Sequence, residues 1–115
     1  MQDRFQFRVW DSSANAYVPR SQFILLSDGT LIQEICGEEV IWELTEPEFC
    51  TGLKDKNGKL IYEGDIVTDG VDIFKVVWDY NAWCIQTNNF QHFLTEGFEV
   101  IGNIHENKVL LKEQD

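Results

Sequence analysis

The sequence predicts a mainly β protein with little helix, in which an N-terminal layer of β-hairpins precedes a small SH3-like barrel. Short apolar segments alternate with turn residues along all 115 residues. Within these segments apolar residues recur at every second position, which is the period of a strand with one buried face. No stretch shows a sustained helical period. Because 43% of the residues are hydrophobic and 13% aromatic, the chain has enough apolar side chains for a folded core.

The first predicted strand is RFQFRVW, in residues 4–10. Its alternation places Phe5, Phe7 and Val9 on one inward face. The small polar residues that follow, DSSANA, predict a hairpin loop. The return strand begins at YVP and is interrupted by Pro19, which cannot donate a ladder hydrogen bond.

A second hairpin is predicted where Asp28-Gly29 separates FILL from TLIQEI, because glycine accepts the positive φ of a tight turn. The alternating segment Glu39–Leu44 predicts a further strand that ends before Pro47. We interpret residues 1–48 as an N-terminal hairpin subdomain and residues 49–115 as a C-terminal SH3-like barrel subdomain. This division is also compatible with one compact unit.

The C-terminal half opens with a polar run, KDKNGK, which predicts a loop from Thr51 to Gly58 that reverses the chain at Asn57-Gly58. Gly64-Asp65 predicts a second turn before the strand EGDIV, with the Asp65 carboxylate accepting a neighbouring backbone N–H. The four residues of these two turns are interpreted as structural.

The clearest predicted hairpin is DIFKVVWDYNAWCIQT, which turns at DYNA. Phe74, Val76 and Trp78 share one inward face, and Trp83 and Ile85 can pack opposite them. A stripe of aromatic residues could instead stack nucleobases, but the chain is strongly negative and Lys75 is the single basic residue in this segment. Core packing is therefore the favoured interpretation.

The last predicted strand is Phe98–Ile104, followed by a short C-terminal turn or helix. Together with EGDIV and the preceding hairpin, it gives about the number of strands that a small SH3-like barrel needs.

The cysteines and histidines do not form a recognisable ligand or catalytic set. Cys36, Cys50 and Cys84 are widely spaced, and a zinc site would need His92 or His105 to converge with them in space. A cysteine nucleophile paired with one of these histidines stays open, although neither residue type has an activating context. Cys36 and Cys84 lie in predicted strands and should react slowly with a thiol reagent, whereas Cys50, beside the loop, should react faster.

A pair of carboxylates, Glu63 and Asp65, is the alternative to the structural interpretation of the second turn. Two carboxylates are too few to hold a metal ion alone, and they lack a third group for acid–base work. We therefore expect no enzymatic activity, no catalytic residues, no metal and no cofactor.

The charge of the chain bears on its partners. Nine Lys and Arg against twenty Asp and Glu give a formal net charge of -11, which repels phosphate backbones. The basic residues Lys54, Lys56 and Lys59 form a cluster, but acidic residues follow it closely. No apolar run approaches the length of a membrane span, and no leader peptide is recognisable at the N-terminus. The sequence thus predicts a cytoplasmic protein, in a host cell, that binds neither nucleic acid nor membrane.

Three segments, FRVWD, TGLKDKNGKLIYEGDIV and EVIGNIHEN, in this order and spacing, resemble the YopX family of phage and prophage proteins. The resemblance extends over nearly the whole chain. It implies small β-rich segments of SH3-barrel type and a phage or prophage accessory role, and it brings no catalytic residues. The chain departs from the family at Lys108, where relatives tend to have proline. This departure bears on the geometry of the final turn. At His105 an aromatic residue is frequent, which suggests a partly exposed position.

Two classes of function are predicted, with a distant third. The first is a non-enzymatic module that binds a protein partner through an aromatic groove or an open strand edge, with Tyr62, Tyr80 and Trp83 as the surface candidates. An edge strand also favours a homo-oligomer. The alternative is an acidic mimic of nucleic acid that occupies a host nucleic-acid-binding protein. The third is a small hydrolase or nuclease using Glu63 and Asp65.

Overall fold

The computed structural model describes residues 6–18, 23–35, 37–41, 47–79, 81–87 and 90–112. Within them lie twelve strands and one short helix, so the prediction of a mainly β fold with little helix is confirmed. The strands are β1 Phe7–Asp11, β2 Ala16–Val18, β3 Phe23–Leu25, β4 Leu31–Ile35, β5 Glu38–Ile41, β6 Glu48–Lys54, β7 Leu60–Tyr62, β8 Asp65–Thr68, β9 Ile73–Asp79, β10 Ala82–Gln86, β11 Gln91–Phe93 and β12 Glu99–Asn103. The helix is α1 Lys108–Lys112.

The described residues fall into two units. The N-terminal unit is Phe7–Glu48, and the C-terminal unit begins at Phe49 and includes Gln6. Gln6 belongs to the latter because its carbonyl accepts a hydrogen bond from the Cys50 N–H at 2.9 Å. In the part of the chain that the structure describes, no helix has the length and apolar character needed to cross a membrane.

The N-terminal unit contains the antiparallel hairpin β1–β2 and an antiparallel sheet in the order β3-β4-β5. The loop after β3 closes as predicted at Asp28-Gly29, with Gly29 at φ 91. The core of the unit consists of Phe7, Val9, Phe23 and Leu31. Phe7 and Val9 therefore face inward as predicted, and Phe5 lies outside the described residues.

The C-terminal unit contains the hairpin β6–β7 and an antiparallel sheet in the order β11-β10-β9-β8-β12, which curls into half a barrel. The core of the C-terminal unit is one apolar cluster: Ile61, Val67, Phe74, Val76, Ile85, Leu94 and Phe98. The predicted hairpin is present as β9–β10, with Trp78 opposite Trp83 and Val76 opposite Ile85. The predicted C-terminal strand and short helix are present as β12 and α1.

Two expectations about β6 were wrong. The chain is a strand as far as Lys54, although a loop was expected from Thr51, and Cys50 is buried inside this strand and not beside a loop. The strand is irregular, since its register with β7 shifts between Cys50 and Lys54 and Gly52 has φ 83. Its burial consequently does not alternate in the way that makes a strand recognisable.

The inward placement of Trp78 was also wrong, because 52% of its surface is exposed. Trp78 has the same strand phase as the buried Phe74 and Val76, but it lies near the turn of the hairpin, beyond the apolar cluster. Its ring contacts Trp83 edge-on, with 4.9 Å between ring centroids. Trp83, expected at the surface, is half-buried and packs against the core cluster.

Candidate protein-interaction surface

The first turn of the distinctive central segment is organised by Asp55. The Gly58 N–H donates to the Asp55 carbonyl at 3.0 Å, and Gly58 has φ 85. The Asp55 Oδ1 atom accepts the N–H groups of Asn57 and Lys59, both at 2.9 Å. Asn57 and Gly58 thus lie in a chain reversal whose interior is filled by a carboxylate.

The same carboxylate joins this turn to β12. Its Oδ2 atom accepts the Val100 N–H at 3.0 Å, and the Lys56 N–H donates to the Phe98 carbonyl at 2.8 Å. Burial by itself would raise the pKa of Asp55, but the N–H groups of Val100, Lys59 and Asn57 outweigh it and hold the pKa below its ordinary value. The role of Asp55 was not predicted from the sequence. Its position two residues before Asn57-Gly58 was the available clue.

The second turn is built on Gly64 and Asp65. Gly64 has φ 86, its N–H donates to the Val76 carbonyl at 3.0 Å, and its own carbonyl accepts the Ile104 N–H at 2.9 Å. Asp65 is buried, and its Oδ2 atom accepts the Tyr62 N–H at 2.8 Å. The N–H and the carbonyl of Gly64 are therefore both bonded to residues that are distant in sequence, one in β9 and one directly after β12.

The neighbouring Glu63 is half-buried, and its N–H donates to the Phe49 carbonyl at 2.9 Å. Among the described residues, no group of three or more His, Cys, Asp or Glu side chains is placed to hold a metal ion. Cys50 and Cys84 are both buried free thiols, and Cys36 lies outside the described residues.

The segment after β12 is fixed by two asparagines. Asn107 Oδ1 accepts the Asn103 N–H at 3.1 Å, and Asn103 Oδ1 accepts the His105 N–H at 3.0 Å. A Cβ atom added to Gly102 would overlap the Asn107 side-chain amide, so a larger residue there would force Asn107 to shift. His105 is half-buried, as the resemblance suggested. Gly102 and Asn107 were not identified from the sequence.

Two of the three predicted surface residues lie in different sheets. Tyr62 is half-buried on β7, where its hydroxyl contacts Gln6 Oε1 at 3.4 Å, and Trp83 lies on β10. Tyr80 lies outside the described residues. The exposed aromatic side chains that the structure describes extend the predicted set.

Three exposed aromatic residues of the C-terminal unit lie on or beside the strands β9 to β11. Their exposed fractions are 52% for Trp78, 48% for Phe90 and 60% for Phe93. The exposed His92 ring stacks on Phe90 with centroids 6.2 Å apart and meets Phe93 edge-on at 5.9 Å. Register pairs Phe93 with Cys84, the residue after Trp83, so Phe93 and Trp83 lie on neighbouring strands but on opposite faces of the sheet. We call Trp78, Trp83, Phe90, His92 and Phe93 the aromatic edge.

β11 is the last strand of its sheet, and its outer side pairs with no strand among the described residues. β11 was not predicted, because it has only three residues and follows two asparagines. The closely spaced aromatic residues of FQHF were the clue to it. The aromatic edge therefore combines exposed rings with an open strand edge.

Comparison with known proteins gives a consistent assignment. Residues 6–112 match the YopX protein family. The fold is similar to that of the protein yopX from Bacillus subtilis, with a TM-score of 0.61 and 22% identity over 91% of this chain and 96% of that one. It is similar also to protein EF1440 from Enterococcus faecalis, with a TM-score of 0.62 and 25% identity over 92% of this chain and 96% of that one. No curated protein matches significantly. The chain belongs to the YopX protein family.

Proposed function

We propose that this chain is a non-enzymatic accessory protein of phage or prophage type that binds a protein partner in the bacterial cytoplasm through the aromatic edge. The observation that supports this most directly is the exposure of Phe90 and Phe93 at the end strand of a sheet, with Trp78 exposed two strands away on β9. Aromatic side chains provide large contact areas at protein interfaces, and few soluble domains expose several of them together without a binding role.

The open edge of β11 favours recognition of an extended segment. A partner strand added there would form backbone hydrogen bonds with β11, while Phe93 and Phe90 would contact its side chains. The same edge could also pair with a second copy of the chain, which is the basis for the expected homo-oligomer.

The curled sheet supports a finer assignment of the C-terminal unit. Its five antiparallel strands and single inner cluster agree with a barrel of the SH3-like type, a fold whose members bind peptides through exposed aromatic residues. The buried carboxylates of this unit support the non-enzymatic part of the proposal. Asp55 and Asp65 accept backbone N–H groups and help to hold the turns in place.

Affinity capture tests the proposal. The wild-type protein and the variants Phe93→Ser and Trp78→Ser would be used to capture proteins from Bacillus subtilis lysate. Val71→Ser is the matched control, since Val71 is exposed in the loop between β8 and β9. We expect capture of a discrete partner that stays bound at high salt, because the contact is apolar. Phe93→Ser and Trp78→Ser should each abolish this capture, and Val71→Ser should not.

Other outcomes would assign a different function. Partners that are nucleic-acid-binding proteins, and that dissociate as salt is raised, would favour the acidic mimic of nucleic acid. Saturable binding of oligonucleotides in an anisotropy titration at low salt would contradict the proposal outright.

The oligomeric state needs a separate measurement. Sedimentation at several protein concentrations should show self-association that weakens in Phe93→Ser. A monomer at every concentration would rule out the homo-oligomer and leave the protein-binding proposal intact.

A further inference from the structure

The sheet β3-β4-β5 of the N-terminal unit has a second face that is apolar and exposed. Strand register places Ile24, Ile32 and Ile41 in one row across the three strands. Exposed fractions are 52% for Ile24 and 56% for Ile41, and Ile32 between them is half-buried. Leu26, two residues beyond Ile24, is also exposed. We call this the isoleucine face.

The isoleucine face does not contribute to the core of its own unit. The opposite face of the sheet supplies the buried side chains Phe23 and Leu31 to the cluster with Phe7 and Val9. An antiparallel sheet with one buried face normally presents polar residues on the other face, which water contacts. Large aliphatic side chains in a row there indicate an interaction surface.

Acidic residues adjoin the isoleucine row. Along β4 and β5 the next positions after Ile32 and Ile41 in this register are Glu34 and Glu39. The Glu39 carboxylate is exposed beside Ile41 and would attract a cationic side chain. Glu38 and Glu39 are exposed on β5, at the edge of the sheet.

The charge of the whole unit has the same sign. Residues 7–48 contain eight acidic residues, two arginines and no lysine, a net formal charge of -6. Arg8 is engaged inside the unit, because its Nε atom contacts Glu48 Oε1 at 2.8 Å and its guanidinium lies over the Tyr17 ring. A second copy of this chain would bring the same negative charge to the surface. A cationic partner is therefore favoured over self-association.

We propose that the isoleucine face docks a basic, aliphatic protein segment, in which Lys or Arg lies two residues from a large aliphatic side chain in an extended strand. In such a segment both side chains point to the same face and lie about 7 Å apart, which is the spacing of the isoleucine and glutamate rows. This site is distinct from the aromatic edge and would give the chain a second partner-binding surface.

A synthetic peptide of Lys-Ser-Ile-Ser repeats is the probe. It would be titrated into the isotopically labelled full chain and followed by NMR amide shifts, alongside peptides with Glu in place of Lys or Ser in place of Ile. We expect saturable binding of the Lys–Ile peptide only, with the shifted amides in β3, β4 and β5. The double variant Ile24→Ser/Ile41→Ser should weaken binding about tenfold or more. Glu39→Gln should weaken it about threefold at low salt.

Two control variants separate this site from the aromatic edge. Phe93→Ser and Val71→Ser should bind the Lys–Ile peptide like the wild type, even if Phe93→Ser abolishes the partner capture described above. Circular dichroism checks that each variant is folded, and the shifts of the wild-type protein locate the site without any substitution.

Several results would overturn the proposal. These are the absence of saturable binding, shifted amides in β11 and not in β3–β5, equal binding of the Glu peptide, and unchanged affinity in a folded Ile24→Ser/Ile41→Ser variant. Self-association that this variant abolishes would assign the isoleucine face to a second copy of the chain and also refute the cationic partner.

Discussion

The two turns of the central segment, in the C-terminal unit, and the exposed turns of the N-terminal unit use acidic side chains in different ways. In the C-terminal unit, Asp55 and Asp65 are buried and accept backbone N–H groups from their own turns, and Asp55 also from β12. In the N-terminal unit, Asp11 and Asp28 lie in exposed turns, and Glu39 lies on an exposed sheet face. A carboxylate that is buried with its hydrogen bonds satisfied contributes to the fold, whereas an exposed one contributes mainly to the surface potential.

The basic residues are distributed differently too. Residues 49–115 contain six lysines against eleven acidic residues, whereas residues 7–48 have no lysine at all. Lys56 pairs with Glu99 at 3.5 Å, between the first turn and β12. Both units carry a similar net formal charge, -5 for residues 49–115 and -6 for residues 7–48, and they differ in the type and placement of their charged residues. The following measurements test this difference.

The largest expected effect is that of Asp55→Ala. The substitution removes the acceptor of three backbone N–H groups, those of Asn57, Lys59 and Val100, in a buried place. We expect a loss of about 3 kcal/mol in the free energy of unfolding, measured by chemical denaturation. Asp28→Ala in the exposed turn of the other unit is the control and should have a much smaller effect. Equal losses would contradict the comparison.

Gly102→Ala should cost about 2 kcal/mol, because the new methyl group overlaps Asn107 and forces it away from the Asn103 N–H. The double variant Gly102→Ala/Asn107→Ala removes the overlap. The loss caused by Gly102→Ala should therefore be smaller in the Asn107→Ala background, as measured in a double-mutant cycle. Additive losses would show that the close approach is not the cause.

In the N-terminal unit, Tyr17→Phe removes the hydroxyl that donates to Glu48 Oε1 at 2.9 Å. Arg8 still contacts the same oxygen, so the carboxylate keeps one partner. We expect a loss of about 1 kcal/mol in the free energy of unfolding. A loss as large as that of Asp55→Ala would mean that the N-terminal unit depends equally on its internal polar contacts.

The pH dependence of stability should differ between the Asp55 and Asp28 turns by less than the losses predicted above. Hydrogen bonds from Thr30 lower the pKa of Asp28, and the pKa of Asp55 is lowered as described above, both from the ordinary value of 3.8. A lower pKa in the folded state means that the unfolded chain binds more protons, so stability rises with pH through this range. The contribution is complete above the ordinary value and is lost as the pH falls through the lowered one.

Unfolding measured from about pH 6 down to about pH 3 tests this dependence. The acid limb is the part of the stability curve in which stability falls at low pH. Asp55→Asn should flatten this limb more than Asp28→Asn does, because the Asp55 carboxylate accepts more backbone N–H groups than the Asp28 carboxylate. An acid limb that is unchanged in Asp55→Asn would refute the assignment.

The smallest effect is expected for the thiols. Cys50 and Cys84 are buried free cysteines in strands of the C-terminal unit, so both should react slowly with a thiol reagent until the protein unfolds. The double variants Cys36→Ser/Cys84→Ser and Cys36→Ser/Cys50→Ser each leave one of the two thiols, and their reaction with and without denaturant measures each rate. Fast reaction of Cys50 in the folded protein would restore the interpretation made from sequence.

Much of the fold was predictable because its determinants are local. The hairpin β9–β10 follows from strict alternation on both sides of a turn, and its register places Trp78 opposite Trp83. Positive φ at Gly29 and Gly58 follows from the Asp-Gly and Asn-Gly pairs. The candidate site stays a prediction. Trp83 belongs to the aromatic edge, Tyr62 lies in another sheet and Tyr80 lies outside the described residues, while β11 with its exposed rings was not predicted.

The sequence by itself determined that the chain is mainly β, where its main hairpins turn, and to which family it belongs, because alternation, turn glycines and motif spacing depend on neighbouring residues. Only the tertiary structure decided that Trp78 is exposed despite an inward strand phase, because burial depends on where the core ends. Only the tertiary structure brought the Asp55 carboxylate to the N–H of Val100, which lies 45 residues further along the chain. Such long-range hydrogen bonds leave no period in the sequence, since their partners meet only when the sheet curls.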